Sequence, residues 1–281
     1  MTHAALLLVL AEGLLTIMDG IIKGLAQRYP TLQIAGLRFG FGFVWAAALV
    51  AVLRPGWPTL ETVKANAVRS ALSVATATLF FYALGQLPLA EVFALSFIAP
   101  IFMVLLGVIV LGEQLEGRIA AGLVTGLVGL ALIVWHRIGA EIYAPDALLG
   151  AVAVIVSALL YAATSILLRA RATRDHAAWI VCVQPMLPAL VLMPSAVPGW
   201  TPVAQMDLMI FVGIGLLGTI GHFVLAHAFA RAEAARLAPL HYVTLVWGVL
   251  IGYVFYSEIP SLMVLAGAAL IIAGALATSW K

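Results

Sequence analysis

Glu12, Thr16, Asp19 and Lys23 follow one another at intervals of four, three and four residues inside an otherwise apolar run. Those intervals place all four on one face of a helix. A charge near the middle of a bilayer costs about 2.5 to 3.5 kcal/mol on insertion scales, so Glu12 is expected to face the bundle interior or water and not lipid. Two kinds of work suit such a carboxyl. It binds substrate charge or a coupling proton, or it pairs with a buried base such as Arg38 and holds the assembly together. Asp19 and Lys23, one turn apart and nearer the outer surface, read first as a local ion pair. Arg38 lies well inside the second apolar run, and its planar fork suits bidentate capture of a carboxylate or phosphate. A structural pairing with Glu12 or with helix-end carbonyls is the alternative.

A second set of residues emerges from an internal repeat. Ala83 to Gly129 and Ala228 to Gly274 superimpose without a gap, so that Ala90 meets Ala235, Gly107 meets Gly252, Glu113 meets Glu258, Gly122 meets Gly267 and Gly129 meets Gly274. The same register pairs Ser96 with His241, Phe97 with Tyr242 and Tyr82 with His227. Phe97, His241 and Tyr242 are therefore expected at related places beside a central cavity, where aromatic groups with polar tips suit a planar or apolar substrate. Packing between helices is the alternative for each. Tyr161 and Ser165 occupy the second-half counterpart of the Glu12 stripe under a slightly shifted alignment. Glu113 and Glu258 are expected to cap the helix that follows each of them. Gln184, with Pro185 and Pro188, predicts an irregular stretch whose freed backbone groups line a cavity.

Several patterns carry no chemistry. Gly213 to Gly218 spells G-x-G-x-x-G inside an apolar run with no strand before it, so it is read as helix contact and not as a dinucleotide loop. Gly36 with Gly40, and Gly122 with Gly126, permit close helix approach, within the bundle by default. His222 and His227 do not share a helical face, Cys182 is the only cysteine, and neither a zinc signature nor a Walker motif occurs. No enzyme, metal site or cofactor is expected.

The elements that must position these residues follow from composition. The 281 residues are 64% hydrophobic with a mean hydropathy of +1.15 and 9% charged, where a soluble domain carries roughly 25% charged residues. The fold class is all-α integral membrane. Hydropathy and breakers predict spans at 4–26, 32–53, 67–86, 89–111, 118–136, 148–169, 176–194, 207–228, 236–256 and 261–280. Ten transmembrane helices divide into two five-helix repeats, residues 1–140 and 141–281, and an odd number of spans makes the second an inverted repeat of the first. With the amino terminus inside, Arg54, Lys64, Arg69, Arg118, Arg169, Arg171, Arg174, Arg231, Arg236 and Lys281 fall on the cytoplasmic side, against Lys23, Arg28 and Arg137 outside. That bias predicts cytoplasmic termini and fits a bacterial inner membrane. A net charge of +2, spread among the connections, gives no footprint for nucleic acid.

Tyr82-Ala83-Leu84, Leu87-Pro88-Leu89-Ala90, Pro100, Leu111-Gly112-Glu113, Ala228, Ala235, Pro239, Tyr242 and Glu258 together resemble the EamA-type repeat of the drug/metabolite transporter superfamily, over nearly the whole chain. Where members of that family often carry a tryptophan, span 1 here reads Leu14-Leu15-Thr16-Ile17-Met18-Asp19. The resemblance implies secondary transport of a small organic metabolite, such as an amino acid or vitamin, and the repeat suggests alternating access between the halves; protons are the coupling ion that the buried Glu12 carboxyl brings into consideration. Substrate contact falls to Glu12, Thr16, Arg38, Phe97, Tyr161, Ser165, His241 and Tyr242. Proton-coupled export of lipophilic cations and a non-transporting scaffold are the competing readings. A monomer suffices for the architecture, and a homodimer through a small-residue face is the other arrangement considered.

Overall fold

The computed structural model describes residues 2–86, 95–135, 147–256 and 262–279, and all regular structure among them is helical. The side chain of Lys23, and Leu87 to Ala90, Arg137, Glu258 and Lys281, lie outside the described residues. The first half contributes α1 (Thr2–Leu25), α2 (Thr31–Leu53), α3 (Leu60–Gln86), α4 (Ala99–Leu111) and α5 (Gly117–Trp135). The second contributes α6 (Ala147–Ala172), α7 (Ala177–Val183), α8 (Met186–Ala196), α9 (Gln205–Arg231), α10 (Ala234–Leu237), α11 (Val243–Tyr256) and α12 (Leu262–Ser279). The twelve helices among the described residues make ten membrane-spanning units, because span 7 is split into α7 and α8 and span 9 into α10, a 3-10 stretch at Ala238–Tyr242, and α11. Both splits have a proline at the break. Pro185 and Pro239 each remove a backbone donor where regular α-helix gives way.

One boundary differs from expectation in a way that changes the chemistry. Span 3 was expected from 67, with Arg69 on the aqueous surface, but α3 begins at Leu60 and Arg69 is 2% exposed in the interior. Hydropathy misplaces this start because the first turns of α3 carry Glu61, Lys64 and Asn66, which lower the local average while the backbone continues as helix.

The helices pack in a pattern that maps onto itself when the halves are exchanged. α1 packs on α9 as α6 packs on α3, and α1 meets α11 as α6 meets α4. α2 with α7–α8, and α5 with α12, are the pairs that exchange into themselves. The α5–α12 crossing shows the two-fold relation atom by atom. A Cβ on Gly129 would lie 2.6 Å from the Gly267 carbonyl oxygen, and one on Gly274 would lie 3.0 Å from that of Gly122. Gly122 and Gly267 are repeat counterparts, as are Gly129 and Gly274, so one contact appears twice. In lipid, where burying apolar surface against another helix gains little over burying it in acyl chains, such close backbone approach supplies the packing energy.

Two apolar clusters cap a polar interior. Leu8, Ala11, Ile166, Leu225 and Phe229 belong to the cluster at the end bearing the amino terminus, and Met18, Leu25, Phe211 and Ile214 to the cluster at the other end. On α1, Glu12 and Thr16 fall between the two clusters. On α9, Gly215, Gly218, Thr219 and His222 do the same, at the i, i+3, i+4, i+7 spacing of one helical face.

Candidate functional site

Glu12 meets the second half of the chain. Its carboxylate Oε2 accepts a 2.8 Å hydrogen bond from the Thr244 hydroxyl, and Oε1 lies 2.6 Å from Nδ1 of His241. Both side chains are 7% exposed. The 3-10 stretch preceding α11 delivers His241 to this place, and α11 itself is held against α1 by Trp247, whose indole donates 3.0 Å to the Val9 carbonyl. Gly13 makes this approach possible, since a Cβ there would sit 2.8 Å from the Trp247 ring. Thr16 donates back to the Glu12 carbonyl at 2.6 Å. Around His241 stand Tyr161, edge-on at 6.3 Å between ring centroids, and Phe229 at 6.1 Å. Ser165, one turn along α6, donates to the Tyr161 carbonyl. The Glu12 carboxylate and His241 thus form a buried acid–base pair across the two halves. The Glu12 Oε1 to His241 Nδ1 approach is a close charge contact and not an aligned hydrogen bond: neither Glu12 Oε1 nor His241 Nε2 has a hydrogen-bond partner among the described residues.

The sequence-derived residues divide into three places. Glu12, Thr16, Tyr161, Ser165 and His241 are together. Tyr242 turns the other way: it is fully buried, its ring presses on Gly126 of α5, and its hydroxyl reaches the Phe97 carbonyl at 3.3 Å. Phe97 lies 6.1 Å from the same ring. Arg38 does not pair with Glu12. Its Nε points to the Met18 sulfur at 3.3 Å, its guanidinium lies 4.8 Å from the centre of the Phe39 ring, and Asp19 of α1 is the carboxylate within electrostatic reach.

Arg38 instead lines a small, partly open cavity of about 30 Å³ between α2, the α7–α8 break and α9, with Gln184, Pro185, Thr219 and His222 among its walls. The irregular stretch expected around Gln184 is present and opens onto this space. In the sequence His222 reads only as a candidate metal ligand, and its place beside Arg38 is not evident there. The signal is the spacing of Gly215, Gly218, Thr219 and His222, a helical face that starts in the G-x-G-x-x-G segment and runs on past its end. His222 Nδ1 lies 2.7 Å from the Gly218 carbonyl, which only accepts, so Nδ1 carries a proton and Nε2 is left for the cavity. His222 is within electrostatic reach of both Arg38 and Glu12. Among the described residues no group of three His, Cys, Asp or Glu side chains is placed to hold a metal ion.

Glu113 performs a capping role in an unexpected place. It was expected to cap α5, the helix after it. Its two carboxylate oxygens instead accept from the backbone N–H groups of Ala234 and Ala235, at 2.9 and 2.8 Å, at the start of α10 in the other half. Gly112, at φ +67°, ends α4 and turns the chain so that the Glu113 N–H folds back to the Gly107 carbonyl. The carboxylate then lies where a Gly107 side chain would stand, 2.7 Å from the site of its Cβ. Arg169 of α6 lies 3.6 Å from the same carboxylate and donates to the Phe229 carbonyl. Arg236 bridges Glu116 of the first half to Glu233 of the second.

Comparison with known proteins places this architecture. Over 280 residues the chain is 26% identical to the pseudopaline exporter of Pseudomonas aeruginosa (strain UCBPP-PA14), covering 98% of this chain and 95% of that protein. It is 27% identical over 256 residues to the S-adenosylmethionine uptake transporter of Rickettsia conorii, covering 90% and 84%. A crystal structure 22% identical in sequence shares the fold over 98% of both chains, with a TM-score of 0.83. The pattern of the EamA-like transporter family matches twice, at residues 3–135 and 148–280. Integral to the membrane and built from two five-span units, the chain belongs to the EamA-like transporter family.

Proposed function

We propose that the protein is a secondary active transporter of a small organic metabolite, working by alternating access between two inverted repeats, residues 1–140 and 141–281, about a shared central site. The observation that carries this reading is the buried Glu12–His241–Thr244 contact. A carboxylate and an imidazole from the two repeats lie 2.6 Å apart, so gaining or losing one proton at this contact changes the attraction between them. Tyr161 stands edge-on to His241, and Thr16 and Ser165 lie one turn along from Glu12 and Tyr161 on their helices. The two relatives named as transporters move different metabolites in opposite directions, which supports the substrate class and leaves cargo and direction to experiment. Cytoplasmic termini in a bacterial inner membrane are supported by the excess of basic residues near the end bearing the amino terminus.

The test is flux in proteoliposomes of purified protein, using a panel of amino acids, vitamins, nucleosides and lipophilic cations, with and without a pH gradient. Selective, gradient-driven accumulation of one metabolite class by the wild type is expected. Glu12→Gln retains exchange of that cargo but loses the response to the gradient. Movement of lipophilic cations alone replaces the metabolite reading with drug export, and a Glu12→Gln protein that still follows the gradient removes the pair from the coupling mechanism.

A further inference from the structure

Arg69 is the most deeply buried arginine described, and no carboxylate pairs with it among the described residues. Its Nη1 donates to Asn66 Oδ1 at 2.9 Å and its Nη2 to Gln184 Oε1 at 3.0 Å, while Nε has no hydrogen-bond partner among the described residues. Ser70, beside it, donates to the Gln184 carbonyl at 2.6 Å. An arginine only donates, so the orientation of the Gln184 amide is settled: its oxygen is turned to Arg69 and its NH2 group is left over. Gln184 also lines the cavity that Arg38 lines, and no described residue accepts from its Nε2. Thr219 spends its hydroxyl proton on the Gly42 and Gly215 carbonyls. The cavity therefore presents a guanidinium from α2 and an amide donor from the α7–α8 break. Asp19 on α1 is the acidic group facing Arg38, and His222 Nε2 is the acceptor on α9.

We propose that this cavity is a carboxylate subsite, in which Arg38 and the Gln184 amide grip an organic carboxylate of the cargo while Arg69, behind Gln184, is the positioning residue that keeps donors and not an acceptor turned inwards. Phe39, Val181 and Pro185 supply the apolar wall against which the carbon skeleton rests. This deepens the transporter reading and rests on it for the word cargo, but binding at the subsite is measurable without flux.

The probe pair is benzoate and benzamide, matched in shape and differing in charge, titrated calorimetrically into the purified full-length protein in detergent. Wild type is expected to bind benzoate about tenfold more tightly than benzamide, the difference one charge-assisted contact makes. Arg38→Gln brings the two to within about twofold, since the charged partner is gone. Gln184→Glu is the sharper variant. It gives Arg69 the carboxylate it lacks, so the unfolding temperature holds or rises, yet it removes the donors facing the cavity and the benzoate preference disappears. Equal binding of both probes by wild type, no binding of either, or a preference that survives either substitution overturns the subsite. A Gln184→Glu protein that unfolds earlier than wild type overturns the Arg69 arrangement. Benzoate preference without flux of any panel compound leaves the subsite standing and sinks transport; flux without preference does the reverse.

Discussion

Replacing Gly107 by alanine is expected to destabilise the wild-type protein and to stabilise a protein that already lacks the Glu113 side chain. The added methyl stands 2.7 Å from Glu113 Oε2, closer than carbon and oxygen tolerate. The carboxylate is the tip of a flexible side chain, so it yields before the backbone does. Yielding breaks the bonds to the Ala234 and Ala235 N–H groups, both in residues with no exposed surface. Each buried donor left without a partner costs about 1 to 3 kcal/mol, so Glu113→Ala loses about 2 to 6 kcal/mol and Gly107→Ala a similar amount. With Glu113 already truncated, the next neighbour of the new methyl is the Ala235 nitrogen at 3.6 Å, an ordinary contact. What remains is the helix propensity of alanine over glycine, worth up to about 1 kcal/mol in favour of the substitution. The assay is thermal unfolding of the two single variants and the double variant in one detergent, read as a double-mutant cycle. A fall of about 5 °C or more is expected for each single variant, with the double variant at or above Glu113→Ala. If Gly107→Ala costs the same in both backgrounds, the carboxylate is not held where the argument needs it.

Other substitutions probe separate parts of the fold. Gly215→Ala, whose methyl would meet Phe41 and the Gly42 nitrogen at 2.6 to 2.9 Å, is expected to cost about 1 to 3 kcal/mol, while Gly213→Ala, with nothing within 4 Å, is neutral or stabilising; matched unfolding curves separate them, and equal losses would sink the helix-contact reading of this segment. In the α5–α12 crossing, Gly129→Ala should lower the unfolding temperature more than Gly274→Ala, because its methyl approaches a carbonyl at 2.6 against 3.0 Å. Asp207→Ala removes the acceptor for Arg28 and for the Tyr29 hydroxyl. Arg28 is 53% exposed and contributes little, so the expected loss of about 1 to 2 kcal/mol comes from the buried tyrosine, and Arg28→Ala alone should shift unfolding by much less.

How legible all this was in the sequence depends on the range of each interaction. The helical stripe of Glu12 and Thr16, the break at Gln184 and the glycine crossings were readable because spacing along one helix, or between a helix and its repeat, fixes them. His241 and Glu12 are both singled out by the sequence, but nothing in periodicity says that two residues 229 positions apart stand side by side. Arg38 was the obvious candidate partner by charge, and the packing of α11 on α1 gives the place to a histidine instead. Glu113 illustrates the same limit. Its spacing to the next helix is local and suggests a local cap, while the true acceptor role depends on where α10 begins in the other half. Arg69 was misassigned for a different reason: a hydropathy average falls at polar residues even when the helix continues through them to bury a charge.

The doubled Gly129–Gly267 and Gly122–Gly274 contact has a consequence for how such a chain tolerates change. Two identical subunits meeting at this seam would feel any seam mutation at both copies at once, since an isologous interface repeats every contact. Covalent fusion of the halves reduces that dose to one. The corners that sit in equivalent places show the freedom this gives. Asp207 on α9 is held by Arg28 and Tyr29 from the preceding half, whereas at the opposite end Thr62 on α3 donates to Asp175, which Arg171 clamps from its own helix. The seam has stayed symmetric while the corners have become different from one another, and a single chain is the arrangement in which both can be true.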